Sequence, residues 1–170
     1  MPTSRPVRDL DGAASAAARD GGTGAEARRR AGRAVAWLAK QVEVALAGAD
    51  LTLAQYRVLG LLAEGSAISS AISERLAVRP PSVTVLVDGL VARGLVDRTA
   101  DTGDRRRVPV AVTPAGRDAL AAADAAVGAR LVEIAAWLGD GDGGRGAVED
   151  LARWSGALAA RHLAGQGGPR

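Results

Sequence analysis

Leu95 to Gly116 reads LVDRTADTGDRRRVPVAVTPAG, and this stretch decides the fold. Val108, Val110 and Val112 alternate with Arg107, Pro109 and Ala111, the period of two that marks a strand with one buried face. A second β-patterned run precedes it, and an Asp/Gly/Arg turn joins the two. Thr113-Pro114 then marks a helix start, because a threonine hydroxyl can accept from the helix's free amides and a proline at the first helical position sacrifices no hydrogen bond. The stretch is therefore expected to form a hairpin with a basic tip that leads into a helix.

Upstream, Val83, Leu86, Val87 and Leu90 form an apolar stripe at helical spacing, opened by Pro80 and Pro81 and closed by Gly94-Leu95 in the manner of a Schellman stop. Ile68, Ile72 and Leu76, interrupted by serines, predict a shorter helix over Ser70 to Ala77 with a serine as its cap. Thr52 and Gln55 form a capping box ahead of Val58, Leu59 and Leu62, so another helix runs to about Glu64 before Gly65. Helix, short turn, helix and basic hairpin make a winged helix-turn-helix order, a shape suited to duplex DNA.

Further out, the recurrence of Ala31, Ala34, Val35, Leu38, Val42, Ala45 and Leu46 predicts a helix within residues 25–50. Its start carries Arg28, Arg29, Arg30 and Arg33, which read first as a solvated helix face and second as an added phosphate contact. Residues 1–24, rich in Pro, Gly, Ala and Ser, are expected to be a flexible arm, with helix forming only transiently over Asp11 to Arg19. Downstream, Leu120, Val127, Leu131, Ile134 and Leu138 predict a long helix, and a loop at 139–146 ends it. A last helix carries Val148, Leu151, Trp154, Leu158 and His162 on one face, and 165–170 form a tail. The fold class is thus mainly α with a small β-hairpin wing: a winged helix-turn-helix at 51–116 between an N-terminal helix at 25–50 and C-terminal helices at 117–164. These outer helices bear apolar stripes that a second copy of the chain would cover, so they are expected to be dimerisation helices.

Composition narrows the chemistry. The formal charge of +3 over 170 residues is unevenly placed, since residues 1–33 carry 7 Arg against 4 acids and residues 66–116 carry 7 Arg against 5. With no cysteine, disulfides, thiolate metal sites and thiol redox switches are excluded for this chain, and one histidine leaves too few ligands for a dedicated transition-metal site. No apolar run approaches the roughly 18 residues of a membrane span, and no secretory signal is evident, so a cytoplasmic protein is expected. Asp101 and Asp104, weighed as a nuclease-type metal pair, sit beside three arginines that neutralise them. No nucleophile triad and no phosphate-binding glycine loop occur, so no enzyme, cofactor or metal is expected.

In three stretches, the sequence resembles the MarR family of bacterial transcription regulators: LTLAQYRVLGLLAE at 51–64, ISERLAVRPPSVTVLVDGLVARGLV at 72–96 and DTGDRRRVPVAVTPAG at 101–116. The last is similar to the family's wing signature of Asp, two spacers, Asp-Arg-Arg, a hydrophobic strand and Thr-Pro-x-Gly. The resemblance implies a homodimeric winged-helix repressor, or less often activator, that binds a palindromic operator in double-stranded DNA and is released by a small effector. It places helix 80–93 in the major groove and the wing in the minor groove. DNA contacts are then expected from Arg79, Pro81, Ser82, Thr84, Val85, Asp104, Arg105, Arg106 and Arg107, with Arg106 inserted in the minor groove and oriented by Asp104. Trp37 and Tyr56 are expected near one another in an effector pocket between the DNA-reading lobe and the dimer helices, for an aromatic or anionic ligand.

The chain departs from the family's pattern in two ways. Val85 and Gly89 stand where basic residues are common, so base reading is expected to rest on Ser82, Thr84 and apolar contact with thymine methyls, and Gly89 costs on the order of 1 kcal/mol in helix stability. Arg79 stands where a serine cap is usual, exchanging a cap worth about 1 kcal/mol for a phosphate contact. They leave open a second reading, a ligand- or partner-binding dimer whose DNA recognition is weakened.

Overall fold

A computed structural model of the chain describes residues 10–98, 108–138 and 144–166. The chain divides into two compact units, Met1–Lys40 and Gln41–Arg170, and the boundary falls within the first helix, α1 (Leu10–Ala47).

In the first unit, α1 begins at Leu10, where the sequence predicts a flexible arm to residue 24 and a firm helix only from Ala25. Ala13, Ala14, Ala16, Ala17 and Ala18 account for the difference. Alanine has the highest helix propensity, and extending an existing helix avoids the cost of nucleating a new one, so Gly21, Gly22 and Gly24 are carried within it.

The second unit holds the core. Its elements are the last turns of α1, α2 (Leu53–Ala63), β1 (Ala67–Ile68), α3 (Ser69–Leu76), α4 (Pro80–Ala92), β2 (Val96–Arg98), β3 (Pro109–Val112), α5 (Pro114–Ala135), a 3-10 turn at Ala136–Leu138 and α6 (Arg145–Gln166). α2 opens on the capping box read from sequence: Gln55 N donates to Thr52 Oγ1 at 3.2 Å and Thr52 N donates to Gln55 Oε1 at 2.9 Å. α2 then packs against α3, α4, α5 and β3. Val58, Leu59 and Leu62 of α2 are buried with Leu46, Ile72, Val83, Val87 and Leu90. With no phenylalanine in the chain, leucine and valine fill most of this core. From α5, Ala123 and Val127 complete it, and Arg130 donates to Gln41 Oε1 at 2.9 and 2.5 Å.

The sheet has three strands in the order β1-β3-β2, all antiparallel, where the sequence predicts only a two-stranded hairpin. Val96 pairs with Val112 and Arg98 with Val110 on one side of β3, and Ala67 pairs with Val110 on the other. The added strand also corrects the start of α3. Its N-cap is Ile68, extended and without a side-chain cap, because that residue is the end of β1 and not a free serine. At the other end of the unit, α6 continues through Gly165 and Gln166, which the sequence assigns to a tail.

The wing is locked to α5 by Thr113 and Gly116. Thr113 Oγ1 accepts from Gly116 N at 2.9 Å and donates to Gly94 O at 2.8 Å, while Thr113 N donates to Leu95 O at 3.1 Å. A Cβ on Gly116 would lie 1.9 Å from Leu95 O, so only glycine lets α5 start against the Leu95 backbone. The Thr-Pro-x-Gly pattern is therefore a packing requirement between the C-terminal stop of α4 and the start of α5.

Candidate nucleic-acid interface

α4 turns its apolar side inward, with Val83, Val87 and Leu90 fully buried, and by helical period this leaves Pro81, Val85 and Asp88 at the crest of the opposite side. Ser82 and Thr84 flank that crest, and all five are exposed, with Val85 at 72%. Thr84 Oγ1 donates back to Pro80 O at 3.3 Å, so outward it offers its methyl group and acceptor lone pairs. The crest suits contact with thymine methyls and base-edge donors more than charge pairing with phosphates.

The N-terminus of α4 explains why losing a serine cap there costs less than the sequence suggests. Arg79 is the N-cap and makes no side-chain cap bond, but Pro80 and Pro81 have no N–H to satisfy. The next two amides, Ser82 N and Val83 N, both donate to Arg79 O, at 3.0 and 3.2 Å. Few free backbone donors remain at this end, so a phosphate would be held by the exposed Arg79 guanidinium and Ser82 hydroxyl.

Contacts at both ends fix the orientation of α4. Between α3 and α4 the chain passes through Ala77, whose φ of 52° lies in the left-handed region. Ser73 Oγ donates to Val78 O at 2.6 Å, and Arg57 Nη2 donates to Leu76 O at 3.2 Å, holding the turn that Ala77 bends. At the far end Gly94 N donates to Val91 O and Leu95 N to Leu90 O, the two bonds of a Schellman motif. Arg93 pairs with Asp50 at 2.9 Å and ties this end to the loop before α2.

Arg98, the last residue of β2, pairs with Asp88 on the exposed side of α4. Neither residue is singled out by the sequence pattern, since the pair is non-local and both residues are ordinary in their elements. It neutralises the single acid of α4 and joins helix to wing. Asp104, Arg105, Arg106 and Arg107 lie outside the described residues, so the structure brings the strands that carry the wing tip to α4 and is silent on the tip itself.

Of the two residues assigned to an effector pocket, Trp37 lies in the first unit and is 72% exposed. Tyr56 lies in the second, half-buried, where its hydroxyl donates to Asp124 Oδ1 of α5 at 2.5 Å. Burial, the bond to Asp124 and that carboxylate's charge push the Tyr56 phenol up to about 12. Elsewhere in the second unit Glu43, Asp50, Thr52, Gln55 and Arg93 line an open cleft of about 690 Å³. Among the described residues no group of three or more His, Asp or Glu side chains could hold a metal ion, and no helix is long and apolar enough to cross a membrane.

Comparison with known proteins bears on this geometry. Residues 49–107 match the MarR family model. The chain is 37% identical over 101 residues to HTH-type transcriptional regulator ML2140 of Mycobacterium leprae, covering 59% of this chain and 71% of that protein. The chain belongs to the MarR family. This MarR-family transcriptional regulator also resembles the crystal structure of CouR from Rhodococcus jostii RHA1 bound to p-coumaroyl-CoA, with 33% identity, a TM-score of 0.53, and coverage of 58% of this chain and 71% of that one. It further resembles the Mycobacterium tuberculosis MarR family protein Rv2887 in complex with salicylic acid, with 25% identity, a TM-score of 0.58, and coverage of 74% of this chain and 90% of that one. In the MarR-family chain, the matched segment contains α2 to β2, so the helix-turn-helix and the Arg98–Asp88 pair fall inside it.

Proposed function

We propose that this MarR-family regulator is a homodimeric, sequence-specific repressor that acts in the cytoplasm, binds a palindromic operator and is released by a small aromatic anion. The observation that carries the reading is α4 itself. Its apolar side is spent on the core, Ser82, Thr84 and Val85 face outward, and β2 ends on its flank with Arg98 paired to Asp88. In this reading α4 enters the major groove with Arg79 at a phosphate, Pro81 and Val85 on thymine methyls, and Ser82 and Thr84 at base edges. Arg106, oriented by Asp104 and flanked by Arg105 and Arg107, enters the minor groove.

Dimerisation is supported by Leu151, Trp154 and Leu158, spaced by three and four residues on α6 and exposed at 39%, 66% and 61%. An exposed stripe of this size needs a partner, and a second copy supplies the same stripe by two-fold symmetry. Trp154→Glu should convert the dimer to monomer in sedimentation analysis. The ligand class follows from relatives: CouR holds p-coumaroyl-CoA and Rv2887 holds salicylic acid, both aromatic and anionic. Tyr56, half-buried in the second unit, is the proposed pocket residue.

Selecting bound fragments from genomic DNA and measuring anisotropy on the winning duplex tests the reading. Nanomolar, sequence-dependent binding that falls steeply with salt is the expected result. One observation favours a second reading, a partner-binding dimer with weakened DNA recognition: α4 carries no Lys or Arg in its 13 residues. Binding no tighter to selected than to scrambled duplex would establish that reading instead.

A further inference from the structure

α1 carries a charged face that the winged helix-turn-helix does not use. Arg29, Arg30 and Arg33 surround Glu26: Arg29 Nη2 lies 2.6 Å from Oε2, and Arg30 Nε and Arg33 Nη2 lie 3.0 and 3.7 Å from Oε1. One carboxylate cancels one positive charge, so these four residues retain a net +2, and Arg28, exposed on another side of the helix, adds a further charge to the segment. The three guanidinium side chains are 61%, 75% and 67% exposed, and each has five N–H donors, more than a shared carboxylate can occupy. Exposed ion pairs of this kind contribute little to stability, so the helix does not depend on them.

We infer that this arginine face is a second DNA-binding surface, a sequence-independent contact to duplex phosphates that adds to the α4 and wing interface. The inference rests on the proposed DNA-binding function. Arg29 to Arg33 span about 6 Å of helix axis, over which a duplex presents about three to four charges at one per 1.7 Å. The three guanidinium groups that share the Glu26 face are close to that phosphate density. An anionic membrane fits less well, since Ala27, Ala31, Gly32 and Ala34, the residues interleaved with the arginines, are small, and Trp37 one turn beyond Arg33 is a single exposed aromatic where insertion needs a continuous apolar face.

The test uses the full chain, a mixed-sequence duplex as probe, and affinity measured across a salt series. R28Q/R29Q/R30Q/R33Q should weaken binding at low salt and flatten the log–log salt slope by at least about 2 per protomer, at about 0.9 per lost phosphate contact. E26Q should do the reverse and tighten binding, since it removes the acid and frees the guanidinium groups; a gain of this kind is not produced by damage to the helix. Circular dichroism reports whether either variant keeps its helix. If the wild type binds its selected operator and the quadruple variant matches it in affinity and slope on mixed-sequence DNA, the second surface is overturned while the proposed function stands. If the variant loses only binding to phosphatidylglycerol vesicles, the surface faces lipid and the inference falls. If the wild type binds no duplex at all, both readings fall.

Discussion

Arg98 at the end of β2 donates to Asp88 on α4, so this helix and the base of the wing share an ion pair. The pair is about half exposed on both sides, and its direct contribution to folding is small, about 0.2–1 kcal/mol. Its importance in the proposed function is electrostatic: Asp88 stands on the surface proposed to meet DNA, where an unpaired carboxylate would face phosphates. One such repulsion at contact costs about 1 kcal/mol even at the dielectric of water, or about fivefold in affinity. Arg98→Ala should therefore weaken operator binding about fivefold while leaving the urea midpoint nearly unchanged. Asp88→Asn added to it should recover most of the loss. Binding unchanged in Arg98→Ala would show that Asp88 does not face phosphate.

The wing tip makes the second prediction. Arg106→Ala should weaken operator binding by about 1–3 kcal/mol, the scale of a well-placed groove contact. It should also lower the salt slope by about 1 per protomer. Arg107→Ala should cost less. Equal losses at both positions, confined to affinity with no preference for A·T-rich operators, would mean that the tip contacts only the backbone.

What could be read from the chain ahead of its structure depended on the range of each interaction. The Thr52–Gln55 box, the Gly94-Leu95 stop and the Thr113 cap each close within five residues, so their chemistry is written in adjacent letters. β1 is two residues long, too short to alternate, and is a strand only because β3 passes beside it. Asp88 and Arg98 are ordinary charges until the wing folds back, and Tyr56 and Asp124 are 68 residues apart, so no pattern joins them. The start of α1 was ambiguous for a different reason, since the same stretch holds strong helix formers and glycines. The outward direction of Ser82, Thr84 and Val85 was legible from the helical period of their buried neighbours.

Two glycines should respond in opposite directions to the same change. At Gly116 a Cβ would sit 1.9 Å from Leu95 O and 2.8 Å from Val112 Cγ2, a clash with backbone that cannot rotate away. Gly116→Ala should destabilise the chain by about 3 kcal/mol or more. At Gly89, inside α4, the nearest atom is Gln55 Nε2 at 4.0 Å, which is ordinary contact. Gly89→Ala should therefore stabilise by up to about 1 kcal/mol, or about 2–4 °C in Tm for a chain of this size. Urea and thermal unfolding of the two variants measure both. A Gly116→Ala protein as stable as the wild type would contradict the packing of α5 on the Leu95 backbone.

Tyr56 is the chain's one tyrosine, so its titration can be followed without interference by ultraviolet difference absorbance. Its phenol is pushed up to about 12 from 10.0 by burial, by its bond to Asp124 and by that residue's charge. In the unfolded chain the group ionises near 10, so between these values the unfolded state has lost a proton that the folded state retains. Stability associated with the neutral phenol is fully present below pH 10 and declines as pH rises toward 12. Tyr56→Phe lacks this group and should lose that part of the alkaline decline, while giving up about 0.5–1.5 kcal/mol at neutral pH with the hydrogen bond. Because the bond joins α2 to α5, Asp124→Asn should bring the phenol's titration back toward its ordinary value. A midpoint that does not move in Asp124→Asn would leave burial as the whole cause of the shift and remove the link between the two helices.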